Sequence, residues 1–215
     1  MATHHATRAS CGPIQIGLFE TGPTEVDEGF GTARRIALDE HSWVEHVPGW
    51  LAGSDGLFSL LRDDAGWQQR SRWMYTREVA EPRLTAEYPD LDAAPEPLRG
   101  IAHALSVHYG VPYDSLWLNL YRDHRDGTSW HRDHLSCKRA ECIVPVLSLG
   151  ATRRFLVRPR DGGRSVVVAP AAGDLVVMGG RCQLDWRHAV PKQATPAGPR
   201  ISVNFQSRLQ AIASI

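Results

Sequence analysis

Asn119-Leu120-Tyr121-Arg122-Asp123-His124-Arg125-Asp126-Gly127-Thr128-Ser129-Trp130-His131-Arg132-Asp133 is the stretch that decides how this 215-residue chain is read. It holds a histidine and a carboxylate two residues apart, and His188 follows 55 residues after Asp133. On an extended strand, side chains at i and i+2 share a face, so His131 and Asp133 reach one ion while a distant strand supplies the third ligand. Two imidazoles and a carboxylate so placed occupy one face of an octahedral Fe(II), leaving positions for a bidentate organic acid and for O2. The chemistry expected is that of an iron-dependent dioxygenase.

Working outward, a strand is predicted over 116–122, with Leu116, Leu118 and Leu120 on one face and Trp117, Asn119 and Tyr121 on the other. A second is predicted over 200–207, where Ile201, Val203 and Phe205 oppose Arg200, Ser202, Asn204 and Gln206, with Arg208 one pleat beyond on the polar side. Either strand alone reads as an ordinary antiparallel strand with one solvated face. Beside metal-ligand spacing, the better expectation is that the polar faces line the space between two sheets, because a polar interior is costly unless it binds something. Valine and isoleucine between glycines and prolines predict further strands over 143–149, 153–158, 165–169 and 174–179.

The part before residue 116 is more helical. Leu98, Ile101, Ala102 and Leu105 repeat at i, i+3, i+4 and i+7, and Gly110 stands where that helix would end. Ser54 or Asp55 is placed to cap another helix through Leu57, Phe58, Leu60 and Leu61. Arg35–Leu38 reads as a short strand, and the aromatic segment His41–Leu51 as a cover for the core. Trp67 to Pro97 shows no period and is expected to be an irregular lid. Residues 1–30 read as a loosely structured N-terminal segment and 31–215 as a single domain. The fold class is α+β, mainly β: a jelly roll with N-terminal helices buttressing one sheet.

Lysine plus arginine and aspartate plus glutamate each number 24, so a nucleic-acid partner would have to be held by a local patch rather than by overall charge. Lys138 and Lys192 are the only lysines; arginine suits bidentate contact with carboxylate or phosphate, although a GC-rich genome gives the same bias. No apolar run approaches the length of a membrane span, and the first residues lack the apolar core of a secretory signal. The expectation is a cytoplasmic monomer with no membrane association and no obligate protein partner. Cys11, Cys137, Cys142 and Cys182 lack C-x-x-C spacing, which indicates neither a zinc knuckle nor a disulfide framework.

Asn119-x-Tyr121, His131-x-Asp133, Ser148-Leu149-Gly150-Ala151-Thr152-Arg153-Arg154-Phe155, Gly173-Asp174-Leu175, His188 and Arg200-Ile201-Ser202-Val203-Asn204-Phe205 together resemble the AlkB-type 2-oxoglutarate dioxygenases. The resemblance spans roughly residues 70 to 208, and the ordered set is far more specific than any member of it. It implies a double-stranded β-helix with Fe(II), 2-oxoglutarate and O2, and oxidative demethylation of N-alkylated bases in DNA or RNA with loss of formaldehyde. His131, Asp133 and His188 would hold the iron. Arg200 would pair with a 2-oxoglutarate carboxylate through its bidentate fork, with Asn119 and Tyr121 assisting. Two positions depart from the family pattern: Gln206 stands where a second arginine is usual, leaving Gln206 or Arg208 to meet the cosubstrate, and Leu135 stands where repair members often have an acid that reads the damaged base.

A base extracted from a strand needs a flat wall and nearby cations. Tyr75, Tyr88 and Trp186 are the aromatic candidates, with Trp73; Arg83 heads the cations, with Arg77, Arg125 and Arg132. Each alone is more often a core or solvated side chain; Tyr88 and Arg83 rank first because they fall in the expected lid. Two other substrate classes stay open, a protein side chain and a small molecule, as does a catalytically silent nucleic-acid binder. A zinc hydrolase would use the same three ligands, but no Glu stands beside His131 as a general base and Arg200 would have no purpose.

Overall fold

Apolar residues at every second position give strands with one face to bury, and pairing such strands gathers those faces into a common layer. The computed structural model describes residues 22–74, 76–133 and 137–211. Its first strands are β1 (Glu25–Val26), β2 (Arg34–Ala37), β3 (Ser42–Val47) and β4 (Leu51–Ala52). Helix α1 (Ser54–Asp64), the hairpin strands β5 (Ser71–Met74) and β6 (Arg77–Ala80), and β7 (Leu84–Tyr88) come next. Helix α2 (Glu96–Tyr109) leads into β8 (Ser115–Tyr121), β9 (Thr128–His131), β10 (Val144–Gly150), β11 (Phe155–Pro159) and β12 (Val166–Val168). Then follow β13 (Leu175–Gly180), α3 (Cys182–Asp185), β14 (Trp186–Val190), β15 (Arg200–Gln206) and α4 (Arg208–Ala211).

Seven strands pair antiparallel in the order β2-β3-β13-β10-β15-β8-β7, and four in the order β12-β11-β14-β9. These two sheets form the jelly roll, or double-stranded β-helix, expected from the sequence. On the outer face of the larger sheet Leu116, Leu118, Leu120, Ile201, Val203 and Phe205 pack on Leu57 and Leu61 of α1 and on Leu98, Ile101, Ala102 and Leu105 of α2. Each leucine so buried stabilises the fold by about 1.5–3 kcal/mol, which is what fixes the register of β8 and β15 and turns their polar residues inward. Helix α2 stops at Gly110, whose φ of 65° is left-handed and whose N–H donates to the Ser106 carbonyl. A second apolar cluster, drawn from both sheets, joins Val146, Val176 and Met178 to Phe155, Val157 and Trp186.

Several expectations are corrected. The segment His41–Leu51 is not a cover: β3 is an internal strand between β2 and β13, with Val44 and Val47 fully buried. Its Trp43 ring crosses Gly179, where any Cβ would collide with the indole, and carries Arg35 on its face at 3.8 Å. Helix α1 takes Gly53, not Ser54 or Asp55, as its N-cap, because the chain arrives with a left-handed φ of 66°. The expected irregular lid contains the β5–β6 hairpin and β7, the edge strand of the larger sheet. Its period is hidden because the strands are short and the hairpin buries little of either face: Trp73 is exposed, as are Arg77, Glu78 and Ala80. Within the expected loose segment, β1 pairs with β4 and Phe30 is buried, stacked on His108 with centroids 3.5 Å apart; residues 1–21 lie outside the described residues. Cys137 and Cys142 form a disulfide, which their spacing did not suggest. No helix among the described residues is long and apolar enough to cross a membrane.

Candidate active site

The pairing of β9 with β14 sets His131 directly opposite His188, and their ring centroids are 4.1 Å apart. Strand β9 ends at His131, so Asp133 reaches the same point from the segment just beyond it rather than from the strand itself. Gln183 of α3 makes this possible: its side-chain oxygen accepts from the Asp133 N–H at 2.8 Å, and its amide donates to Asp133 Oδ2 at 3.2 Å. His131 Nε2 lies 3.6 Å from Asp133 Oδ1, and His188 Nε2 lies 3.4 Å from Asp133 Oδ2. One ligand atom from each of the three residues falls within 4.8 Å of the others. Donors on adjacent corners of an octahedron, each about 2.1 Å from the metal, stand about 3 Å apart, so small adjustments let these three share an ion.

The protonation states also suit a metal. Burial, and after it the neighbouring His188, push the His131 imidazole down to about 4, so it is neutral near pH 7. Its Nδ1–H donates to the Ser129 carbonyl at 2.9 Å, which leaves the Nε2 lone pair facing Asp133. Burial raises the Asp133 carboxyl, but His188 and then His131 outweigh it and hold it at about 2. A neutral imidazole and an ionised carboxylate are the forms that ligate. The free thiol of buried Cys182 is pushed up to about 12 by burial and takes no part as a thiolate.

Gln183 gave no signal in the sequence, since it lies in a four-residue helix between two strands. Its substitution by alanine frees the Asp133 amide and carboxylate together, and is expected to weaken metal affinity about 10- to 100-fold while secondary structure persists. Titration of apoprotein with Fe(II) or Mn(II) measures this; unchanged affinity would remove Gln183 from the site.

Arg200 is the other pole of the cavity. It is 1% exposed and donates from Nη2 to Ser148 Oγ at 2.8 Å, while its Nε and Nη1 have no hydrogen-bond partner. Among the described residues no carboxylate pairs with it. Burial lowers its pKa, with Tyr121 acting the other way. A buried guanidinium with two unused donors is costly unless an anion completes it. Asn119 and Tyr121 lie on the neighbouring strand: Asn119 Nδ2 donates to Ser202 Oγ at 3.2 Å, and the Tyr121 hydroxyl bonds with Thr128 Oγ1 at 2.9 Å. His131, Asp133, His188, Arg200, Asn119, Tyr121 and Gln206 all line one cavity of about 370 Å³.

Other expected residues divide. Arg83 and Arg132 line the cavity; Arg83 Nε donates to Asn119 Oδ1 at 2.9 Å and Nη2 pairs with Glu81 at 2.9 Å, so Arg83 is part of the wall rather than a free phosphate contact. Tyr88 belongs to the opposite face of β7 and packs on the helix-side core, while its neighbour Glu87 faces the cavity. The register of β7 on β8 pairs Glu87 with Trp117 and Tyr88 with Leu116, so position 87 and not 88 faces inward. Trp186 is buried in the inner apolar cluster, its Nε1 donating to Asp39 Oδ2 at 2.7 Å. Trp73 is 75% exposed on the hairpin, and Arg77 is exposed there too; Arg125 is exposed and pairs with Asp123 at 2.6 Å. Tyr75 and Leu135 lie outside the described residues.

Arg208 does not replace the missing second arginine. Strand β15 ends at Gln206, and Arg208 opens α4, 69% exposed at its side chain and paired with Asp114 at 3.0 Å. Arg208→Ala is therefore expected to leave the 2-oxoglutarate requirement within about twofold of the parent, as for most surface ion pairs. A steady-state titration of the cosubstrate checks this, and a tenfold rise would restore Arg208 to the site.

A jelly roll whose interior carries two histidines and a carboxylate opposite a buried arginine defines a class of non-haem iron, oxo-acid-dependent oxygenases. Residues 64–206 match the pattern of the 2OG-Fe(II) oxygenase superfamily, and the chain belongs to that family. Its curated relatives include proteins of the AlkB type. It is 32% identical over 178 residues to the alpha-ketoglutarate-dependent dioxygenase alkB homolog 3 of Bos taurus, covering 73% of this chain and 62% of that protein. It is 27% identical over 138 residues to the DNA oxidative demethylase ALKBH2 of Homo sapiens, covering 59% of this chain and 53% of that protein. The chain thus spans less than two thirds of the length of these relatives. The solved structure of OsALKBH1 superposes with a TM-score of 0.54 at 13% identity, covering 81% of this chain and all of that one, a likeness of fold.

Proposed function

We propose that the protein is an Fe(II)- and 2-oxoglutarate-dependent dioxygenase that removes methyl groups from N-alkylated bases in DNA or RNA. The observation that carries this is the buried Arg200 with two unpartnered N–H groups, opening on the same cavity as His131, Asp133 and His188. The donor set fits Fe(II), and the arginine fits the far carboxylate of a short diacid whose other end the metal would hold. Fe(II) with 2-oxoglutarate and O2 supplies the oxidation of an otherwise inert C–H bond. His131, Asp133 and His188 would fix the position of that chemistry, and Arg200, Ser148, Asn119 and Tyr121 orient the cosubstrate. The apolar residues Val146, Phe155 and Val190, also in the lining, limit water beside the reacting groups. The names of the curated relatives, a DNA oxidative demethylase among them, support nucleic acid as the substrate.

Formaldehyde and succinate released in equal amounts from a methylated single-stranded oligonucleotide test this reading. Turnover of 2-oxoglutarate without formaldehyde from any methylated DNA or RNA would favour a second reading, in which the oxygenase acts on a protein side chain or a small molecule. The formal net charge of zero and Leu135, in place of an acid that reads the base, favour that alternative.

A further inference from the structure

We propose that Glu87, Trp117 and Asn204, on the adjacent strands β7, β8 and β15, form the subsite for a flat, positively charged heteroaromatic base, with the Trp117 indole as its stacking wall. The proposal rests on the nucleic-acid reading of the cavity. Strand register arranges the polar interior in tiers. Arg200 stands opposite Tyr121; Ser202 stands opposite Asn119, which also faces Thr85; Asn204 stands opposite Trp117, which also faces Glu87. Residues directly across antiparallel strands share a face, and each tier lies about 7 Å further along the strand. The tier of Arg200 and Tyr121 belongs to the cosubstrate, so the tier of Trp117 is displaced from it along the same wall. All three of its members line the cavity.

Trp117 is held in place before any ligand arrives. Its Nε1 donates to Asn119 Oδ1 at 3.1 Å, and the Arg70 guanidinium lies 4.5 Å from the ring centroid. Glu87 holds Arg70 at 3.2 Å, and Arg70 lies outside the cavity lining. A ring fixed in this way loses little conformational freedom on binding. Asn204 Nδ2 donates to the Trp117 carbonyl at 2.8 Å, and no donor among the described residues reaches its amide oxygen. Methylation of a ring nitrogen in adenine or cytosine leaves the base positively charged while its exocyclic amine still donates. An indole face, a carboxylate and an amide oxygen suit such a base. Arg70 already shows the affinity of this wall: it is a planar cation stacked on Trp117 and paired with Glu87. No acid at position 135 is needed for a carboxylate to stand beside the base.

Anisotropy of a labelled single-stranded oligonucleotide carrying one N1-methyladenine, against its unmethylated twin, tests the subsite in anaerobic protein loaded with Fe(II) and 2-oxoglutarate. The parent is expected to bind the methylated strand more tightly. Trp117→Ala is expected to weaken that binding roughly 5- to 150-fold and abolish the preference. Trp117→Phe, which keeps a flat face but not the indole N–H, is expected to stay within about threefold of the parent. Glu87→Gln is expected to reduce the preference and leave the unmethylated strand alone. The visible band of the Fe(II)–2-oxoglutarate complex persists in each variant if the inner tier is intact. Overturning results are a retained preference in Trp117→Ala, equal losses in Trp117→Ala and Trp117→Phe, or loss of the band with the preference. A parent that demethylates while Trp117→Ala keeps its preference refutes the subsite alone. A parent that neither prefers nor demethylates methylated strands refutes the nucleic-acid reading and the subsite with it.

Discussion

Arg200→Ala is expected to raise the 2-oxoglutarate concentration needed for half-maximal turnover by about two to three orders of magnitude. The guanidinium is buried, anchored by one bond to Ser148, and left with Nε and Nη1 unpartnered. A carboxylate arriving there completes an ion pair whose desolvation the fold has already borne on the cationic side. Removing the arginine leaves that carboxylate buried and uncompensated, a loss of about 3–5 kcal/mol. Arg200→Lys should recover part of the affinity only, because an ammonium lacks the planar fork and does not reach Ser148 in the same geometry. Cosubstrate dependence of turnover and direct titration of the anaerobic complex measure the change. A requirement within threefold of the parent would move the anchoring role to another group.

Asp133→Ala is expected to abolish turnover through loss of iron, at least 100-fold at saturating cosubstrate, with circular dichroism unchanged. Asp133 is the only carboxylate in the three-residue cluster, and Gln183 engages both its amide and its side chain. Without it, two imidazoles remain, too few to hold a divalent ion against exchange with water. Metal content by mass spectrometry together with formaldehyde release decides the matter. A variant with a full complement of iron and the parent rate would exclude Asp133 as a ligand.

The fold was readable wherever burial imposed a period. The leucines of β8 and the Ile201-Val203-Phe205 face of β15 revealed which side faces the helices, and by difference which side faces the cavity. The i, i+3, i+4 pattern ending at Gly110 did the same for α2. The triad followed from residue types and order, since few arrangements bring two histidines and a carboxylate together at that spacing. What escaped was set by tertiary pairing. Strands β9 and β14 are short and carry His131, Arg187 and His188 among their apolar residues, so neither alternates cleanly. Gln183 acts through a fold-imposed approach of α3 to Asp133, which no local pattern encodes. Tyr88 and Glu87 are neighbours, and only the register of β7 on β8 decides which of them faces the cavity. Arg208 kept the strand period on paper, but the strand stops at Gln206.

The most direct test of the shared metal site is anaerobic addition of Fe(II) and 2-oxoglutarate to the purified protein, followed in the visible range. One iron per chain and a weak charge-transfer band, present in the parent and absent from His131→Ala, is the result predicted from the convergence of His131, Asp133 and His188. A parent protein that binds no iron and shows no band would contradict it.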